Sequence, residues 1–175
     1  MISGYIYAPS GDPKDIVLVS LDIQGAFLQG LRFEELEKLA RKLGYEQRHK
    51  RDVYVIPPEN VWRHFRALVD PKDPLYIFDN VRLKWILLCL ACMYGFTDAP
   101  LLFQLALVHF LLDHTGAYKS VYDDNSLYWL REYDGVWYVI LEATIHVDDI
   151  LLAGTLLEIS FIQTKLENRF GKLKR

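Results

Sequence analysis

The stretch VWYVILEATIHVDDILLAG, residues 136–154, decides how this chain folds. It contains two apolar runs, Val136–His146 and Ile150–Ala153, which are separated by a turn that carries two adjacent aspartates. Runs of this length that are rich in β-branched and aromatic residues favour strands, and a tight connection pairs consecutive strands antiparallel. The Asp-Gly turn at 133–135 joins Ser126–Arg131 to the first run in the same way. The sequence therefore predicts an antiparallel sheet built around these hairpins.

Outward from this stretch, short apolar strands alternate with helical patterns. Strands are predicted at Ile16–Leu21 and Val53–Ile56, and helices at Phe33–Leu43, from Asn60 to Leu68, from Asp98 to Gly116 and at Leu157–Phe170. The run Val81–Cys92 is compatible with a strand or a buried helix, and a strand is favoured. The continuous apolar run Ile16–Leu21 predicts a strand buried on both faces, and residues 1–15 are expected to form a loop. Asn60 and Asp98 are expected to cap their helices, and Pro100 suits a first turn. This order predicts an α+β fold, an antiparallel sheet with helices on one face.

Composition limits the classes of protein that remain. The chain has 175 residues, of which 51% are apolar and 25% charged, so a folded domain is expected and extensive disorder is excluded. A net charge of −3 argues against a purely electrostatic nucleic-acid binder. Cys89 and Cys92 have no ligand partners at zinc spacing and are expected to be small core residues.

Targeting signals are also absent from the sequence. The first residues lack the basic lead and apolar block of a signal peptide, and the longest apolar run, residues 85–94, is too short to span a bilayer. We therefore expect an intracellular protein, cytoplasmic or nuclear, without a membrane partner.

Three carboxylates have neighbours that suggest chemistry. Asp22 ends an apolar strand, and Asp148 and Asp149 occupy the turn between two others. Carboxylates that converge from neighbouring strand ends form a hard-oxygen site suited to Mg²⁺, and a pair of such ions supports phosphoryl transfer. The alternative is an ordinary turn, since Asp is common in turns. His146 shares the strand face of Asp148 by two-residue alternation, which makes it a ligand, a stacking group or an ordinary polar residue.

Three segments in order resemble motifs of copia-type retrotransposon reverse transcriptases. They are LDIQGAFLQG at 21–30, MYGFTDAP at 93–100 and HVDDILLAG at 146–154, and VYVIPP at 53–58 is a weaker fourth. The resemblance covers about residues 16–175, with an apparent insertion around 32–52. It implies a palm-type (ferredoxin-like) subdomain of an RNA-directed DNA polymerase, in which fingers are incomplete and thumb and RNase H are absent.

The resemblance also implies roles for the carboxylates. Asp22, Asp148 and Asp149 would be the catalytic residues of a nucleotidyltransferase. Asp22 and Asp148 would ligate two Mg²⁺ ions, for which Mn²⁺ can substitute, and Asp149 would support the site. The backbone carbonyl of Ile23 would be a further metal ligand.

Four more residues match positions that contact substrates in the family. Phe27 matches the aromatic ring that blocks a ribose 2′-hydroxyl, Tyr94 and Gly95 match a nucleotide-binding segment, and His146 matches the residue beside the primer terminus. For the aromatic residues the alternative is core packing. The implied partners are an RNA or DNA template-primer, deoxynucleoside triphosphates and the remaining parts of a polyprotein. Because those parts are missing, we expect weak or no activity from this chain alone.

The chain departs from the family pattern at several positions. His146 replaces a Tyr, Thr97 and Asp98 replace Lys-Gln, and Leu101 stands where Arg is common. Two other function classes therefore stay open. One is a non-catalytic palm-fold relic that binds nucleic acid or protein through the basic stretches 41–51 and 165–175. The other is a two-metal enzyme such as a nucleotide cyclase, against which the Tyr-Gly…Ala-Pro segment argues.

Overall fold

A computed structural model describes residues 6–9, 12–42, 52–68, 72, 76–79 and 84–174. The chain divides into two compact units, residues 1–31 with 93–175 and residues 32–92. In chain order the strands are β1 (Ile16–Ile23), β2 (Val53–Val55), β3 (Tyr76–Asp79), β4 (Lys84–Cys89), β5 (Tyr118–Lys119), β6 (Ser126–Tyr133), β7 (Val136–His146), β8 (Asp149–Thr155) and β9 (Leu173–Lys174). The α-helices are α1 (Phe33–Lys42), α2 (Glu59–Leu68), α3 (Ala99–Thr115) and α4 (Leu156–Phe170).

A six-stranded sheet organises the larger unit. Its order is β5-β6-β7-β8-β1-β9, and every neighbouring pair is antiparallel. The turn between β6 and β7 uses Asp134 and Gly135, both at positive φ, which is the conformation that suits the right-handed twist of a two-residue hairpin. Both hairpins predicted from residues 126–154 are confirmed.

Helices α3 and α4 pack on one face of this sheet. The core combines strand residues with helix residues, and its members that are at most 1% exposed include Leu21, Ile23, Ile150, Leu152, Phe103, Leu107, Leu111, Ile159, Ile162 and Leu166. Burial of these apolar side chains is the main stabilising term of the unit. The predicted α+β fold, an antiparallel sheet with helices, is confirmed.

The prediction that β1 is buried on both faces is wrong. Leu21 and Ile23 face the core, whereas Leu18 is 71% exposed and Ser20 is exposed on the opposite face. The strand also continues to Ile23, beyond the predicted end at Leu21. A continuous apolar run is compatible with burial on one or both faces, so this sequence pattern did not discriminate between them. The exposed face of β1 is the one on which Asp22 lies, because Asp22 alternates with Leu18 and Ser20.

The two long helices begin close to where the sequence predicted. Asp98 occupies the N-cap position of α3, although its carboxylate accepts from Thr97 Oγ1 at 3.1 Å and not from a helix N–H. Helix α4 begins at Leu156, and its cap is Thr155, whose hydroxyl accepts from the Glu158 N–H at 3.4 Å. No described helix combines the length and the apolarity that crossing a bilayer requires.

The smaller unit, residues 32–92, contains α1, α2 and an antiparallel sheet of order β2-β4-β3. Strand β4 confirms the strand predicted within Val81–Cys92, and no sequence pattern predicted β3. The prediction that Asn60 caps α2 is wrong, because the helix already begins at Glu59. Cys92 is buried and burial raises the pKa of the half-buried Cys89 thiol, as expected for core residues. Residues 43–51, which hold much of one basic stretch and of the predicted insertion, lie outside the described residues.

Gly154→Ala is expected to lower the free energy of unfolding by about 1–3 kcal/mol. Gly154 lies opposite Leu141, and an added Cβ would lie 2.6 Å from Leu141 Cδ1 and 3.0 Å from the backbone oxygen of Ile140. The carbonyl cannot move without disturbing the β7–β8 ladder. Urea unfolding followed by circular dichroism measures the change, with Ser20→Ala, an exposed site on β1, as the control near zero. Equal stabilities of the two variants would contradict this close approach.

Candidate active site

A row of ionisable residues crosses the open face of the large sheet. The strand register places His146 opposite Asp149, Asp149 opposite Asp22, and Asp22 opposite Lys174. Residues opposite each other in antiparallel strands have side chains on the same face. Because Leu21 and Ile23 face the core, Asp22 and its row lie on the face that α3 and α4 leave uncovered. Four strands thus contribute one ionisable residue each at the same end of the sheet.

Asp148 enters the site through the turn between β7 and β8. Val147 has φ 59°, a left-handed conformation that is rare for a β-branched residue. The Asp148 carbonyl accepts from the Ile23 N–H at 3.4 Å, which ties this turn to the end of β1. Backbone strain of this kind costs about 1–3 kcal/mol and persists where the surrounding structure imposes it, often at functional sites.

An open pocket of about 370 Å³ brings the motif residues together. It is lined by Asp22, Ile23, Gln24, Gly25, Ala26, Tyr94, Asp148 and Lys174. The lining therefore comes from four segments that are remote in sequence. Asp149 and His146 are not among the lining residues, so they belong to the row on the sheet face and not to the pocket wall.

The two aromatic residues singled out by the sequence contact each other. The rings of Phe27 and Tyr94 meet edge to face, with centroids 5.4 Å apart at 68°. Tyr94 is 56% exposed at the pocket, whereas Phe27 also packs against the core. Gly95 has φ +90°, which permits the turn closed by the Phe96 N–H to the Met93 carbonyl at 3.1 Å. Gly95 thus permits the tight turn that carries Tyr94.

The donor set fits Mg²⁺ bound together with a phosphate ligand. Within the described ranges no three His, Cys, Asp or Glu residues form a group that could hold a metal ion by themselves. Mg²⁺ does not need such a group, because proteins usually hold it with one or two carboxylates while water and substrate phosphates complete the octahedron. Asp22, Asp148 and the carbonyl of Ile23 are hard oxygen donors at one pocket. They suit such an ion and are poorly suited to softer metals.

Two residues of the site were not singled out from the sequence. Lys174 lines the pocket because β9 pairs with β1, and its only sequence signal was membership of the basic run 165–175. The Gln29 amide donates to the Gln24 carbonyl at 3.0 Å and to the Phe170 carbonyl at 2.9 Å. Gln29 thereby connects the pocket loop to the segment that leads into β9.

Comparison with known proteins identifies no family. No protein-family model and no curated protein matches the chain. The interpretation of the site therefore depends on its residues, their order in the sequence and the geometry that brings them together.

Proposed function

We propose that this chain forms the palm subdomain of a copia-type reverse transcriptase, an RNA-directed DNA polymerase that adds deoxynucleotides to a primer 3′-hydroxyl. One observation carries the proposal. Asp22, Tyr94 and Asp148 come from the three separate motifs that resemble this family, and they line one pocket. Nothing in the local pattern of each motif requires that convergence. It supports a shared site for metal and nucleotide.

In this proposal, Asp22, Asp148 and the carbonyl of Ile23 hold two Mg²⁺ ions, which Mn²⁺ can replace. When bound, the ions supply acidification of the primer hydroxyl and charge neutralisation on the leaving pyrophosphate. In the reaction the primer 3′-hydroxyl loses its proton to water and its oxygen joins the α-phosphorus. The bond from that phosphorus to the pyrophosphate oxygen breaks, and pyrophosphate leaves. The role of the protein is to position these groups, which is most of what phosphoryl transfer asks of an enzyme.

The remaining site residues have positioning roles. The exposed ring of Tyr94 supports the incoming nucleotide, and Phe27, held edge-on against Tyr94, limits space at the ribose 2′-position. Asp149 lies opposite Asp22 on the open face and adds negative charge next to the metal ligands. His146, opposite Asp149, contacts the primer end from the same face.

Primer extension on an RNA template tests the proposal. With Mg²⁺ or Mn²⁺ we expect this chain alone to give trace extension or none, because the segment at 93–100 carries Thr97 and Asp98 where a cation would stabilise the triphosphate. Any trace product should disappear in Asp22→Asn. Robust extension by the chain alone would contradict the expected need for further subdomains, and a trace product that survives in Asp22→Asn would contradict the assigned site.

A non-catalytic palm-fold module that binds nucleic acid or protein is the second candidate. Lys174 favours it, because an ammonium on the strand opposite Asp22 offsets part of the negative charge of the pocket without a metal ion. In that case the protein should bind no Mg²⁺ at the pocket. Metal binding therefore separates the two candidates.

A further inference from the structure

The pocket has walls of opposite charge. Asp22 and Asp148 supply carboxylates, and Lys174 supplies an ammonium on the neighbouring strand. Lys174 forms no ion pair with any residue in the described part of the chain. Its backbone is nonetheless fixed, because the adjacent Leu173 is 7% exposed and pairs with Ile23. A positioned cation that has no ion-pair partner among the described residues therefore lines the pocket.

We propose that Lys174 binds the phosphates of the incoming deoxynucleoside triphosphate, an inference that rests on the proposed function. A pocket lined only by carboxylates would repel a triphosphate, whereas one that also carries an ammonium suits a ligand made of a divalent cation and a polyphosphate. The segment at 93–100 carries Thr97 and Asp98 and has no cation of its own. Lys174 supplies the charge that this segment lacks.

The Gln29 side chain connects the loop after Asp22 to the segment that leads to Lys174. Its amide donates to the carbonyl of Gln24, which lines the pocket, and to that of Phe170, four residues before Lys174. A side chain that bridges both segments limits how far Lys174 can move from the loop after Asp22.

Calorimetric titration of dTTP in the presence of Mg²⁺ tests the role of Lys174. Lys174→Met keeps the apolar stem and removes the charge, and we expect the dissociation constant of dTTP to rise by tenfold or more, about the value of one charge-assisted hydrogen bond. Lys172→Met is the matched control, since it removes the same charge from an exposed residue outside the pocket lining. The dissociation constant of dTTP for Lys172→Met should stay within about twofold of the wild-type value. Lys174→Arg should restore most of the affinity.

Titration of Mg²⁺ alone separates this inference from the proposed function. Lys174→Met should retain Mg²⁺ binding, because Asp22 and Asp148 are intact. If Mg²⁺ binds and Lys174→Met and Lys172→Met have equal affinities for dTTP, the inference is overturned. The inference is also overturned if the wild type binds Mg²⁺ but does not bind dTTP. Absence of Mg²⁺ binding in the wild type, both alone and in the presence of dTTP, overturns the proposed function. If circular dichroism shows that the Met variant is unfolded, Lys174→Gln provides the same comparison.

Discussion

Titration of Mg²⁺ into the wild-type protein should give saturable heat, and titration into Asp148→Asn should give none in the same concentration range. Asp148 is one of two carboxylates at the pocket. A unit-charge pair 4 Å apart at an effective dielectric of 20 is worth about 4 kcal/mol, and a divalent ion gains at least this from each carboxylate. Its loss corresponds to roughly a thousandfold in the dissociation constant. Isothermal titration calorimetry covers that range.

The control for this experiment is Glu142→Gln. Glu142 is exposed on β7 and lies on the same sheet face as His146 by two-residue alternation, so its loss removes one negative charge outside the pocket. In this variant we expect the dissociation constant of Mg²⁺ to change by at most twofold. In Asp149→Asn the dissociation constant of Mg²⁺ should rise about tenfold, an effect between those of the other two variants. Asp149 lies opposite Asp22 but does not line the pocket. Equal binding by wild type and Asp148→Asn would remove the basis for a metal site.

The part of the site that lies within single motifs could be predicted from the sequence. Asp22 at a strand end and Asp148 in a tight turn are local features, and the structure places both on one pocket. Lys174 could not be predicted, because its position depends on β9 pairing with β1 across about 150 residues of chain. The resemblance implied different roles for the two adjacent aspartates, a metal ligand at Asp148 and a supporting residue at Asp149, and only Asp148 lines the pocket. Alternation at a turn decides this difference.

Local signals decided which secondary structure could be predicted. The Asp-Gly turn and the Leu157–Phe170 pattern predicted the β6–β7 hairpin and α4 to within two residues. The exposure of Leu18 could not be predicted, because it depends on α3 and α4 covering the other face of β1. Strand β3 could not be predicted, because its four residues carry no strand pattern of their own and form a strand by pairing with β4.

Arg131→Met should lower the free energy of unfolding by about 2–3 kcal/mol, because it leaves a buried carboxylate on α4 without its partner. The Arg131 guanidinium binds the Glu158 carboxylate in a two-bond fork, with Nη1–Oε1 at 2.7 Å and Nη2–Oε2 at 3.2 Å. The Tyr133 hydroxyl, which accepts from Arg131, and Glu158 raise the pKa of the guanidinium, so it stays charged. Glu158 is 8% exposed, and without Arg131 its carboxylate would be buried without a counter-ion. We expect this loss of free energy of unfolding to be smaller than for a fully buried ion pair, because the Arg131 side chain is 44% exposed.

A double variant separates the cost of an unpaired charge from the loss of packing. Arg131→Met with Glu158→Met should recover at least half of the stability lost in Arg131→Met, since both members of the pair are then apolar. Lys119→Met is the matched surface control: its ammonium contacts Asp124 at 2.7 Å, but the Asp124 side chain is 88% exposed, so the loss should stay below about 1 kcal/mol. Urea unfolding monitored by circular dichroism gives all four values. If the double variant is no more stable than Arg131→Met, the contribution of Arg131 comes from the packing of its side chain against α4, and the buried carboxylate of Glu158 does not need a counter-ion.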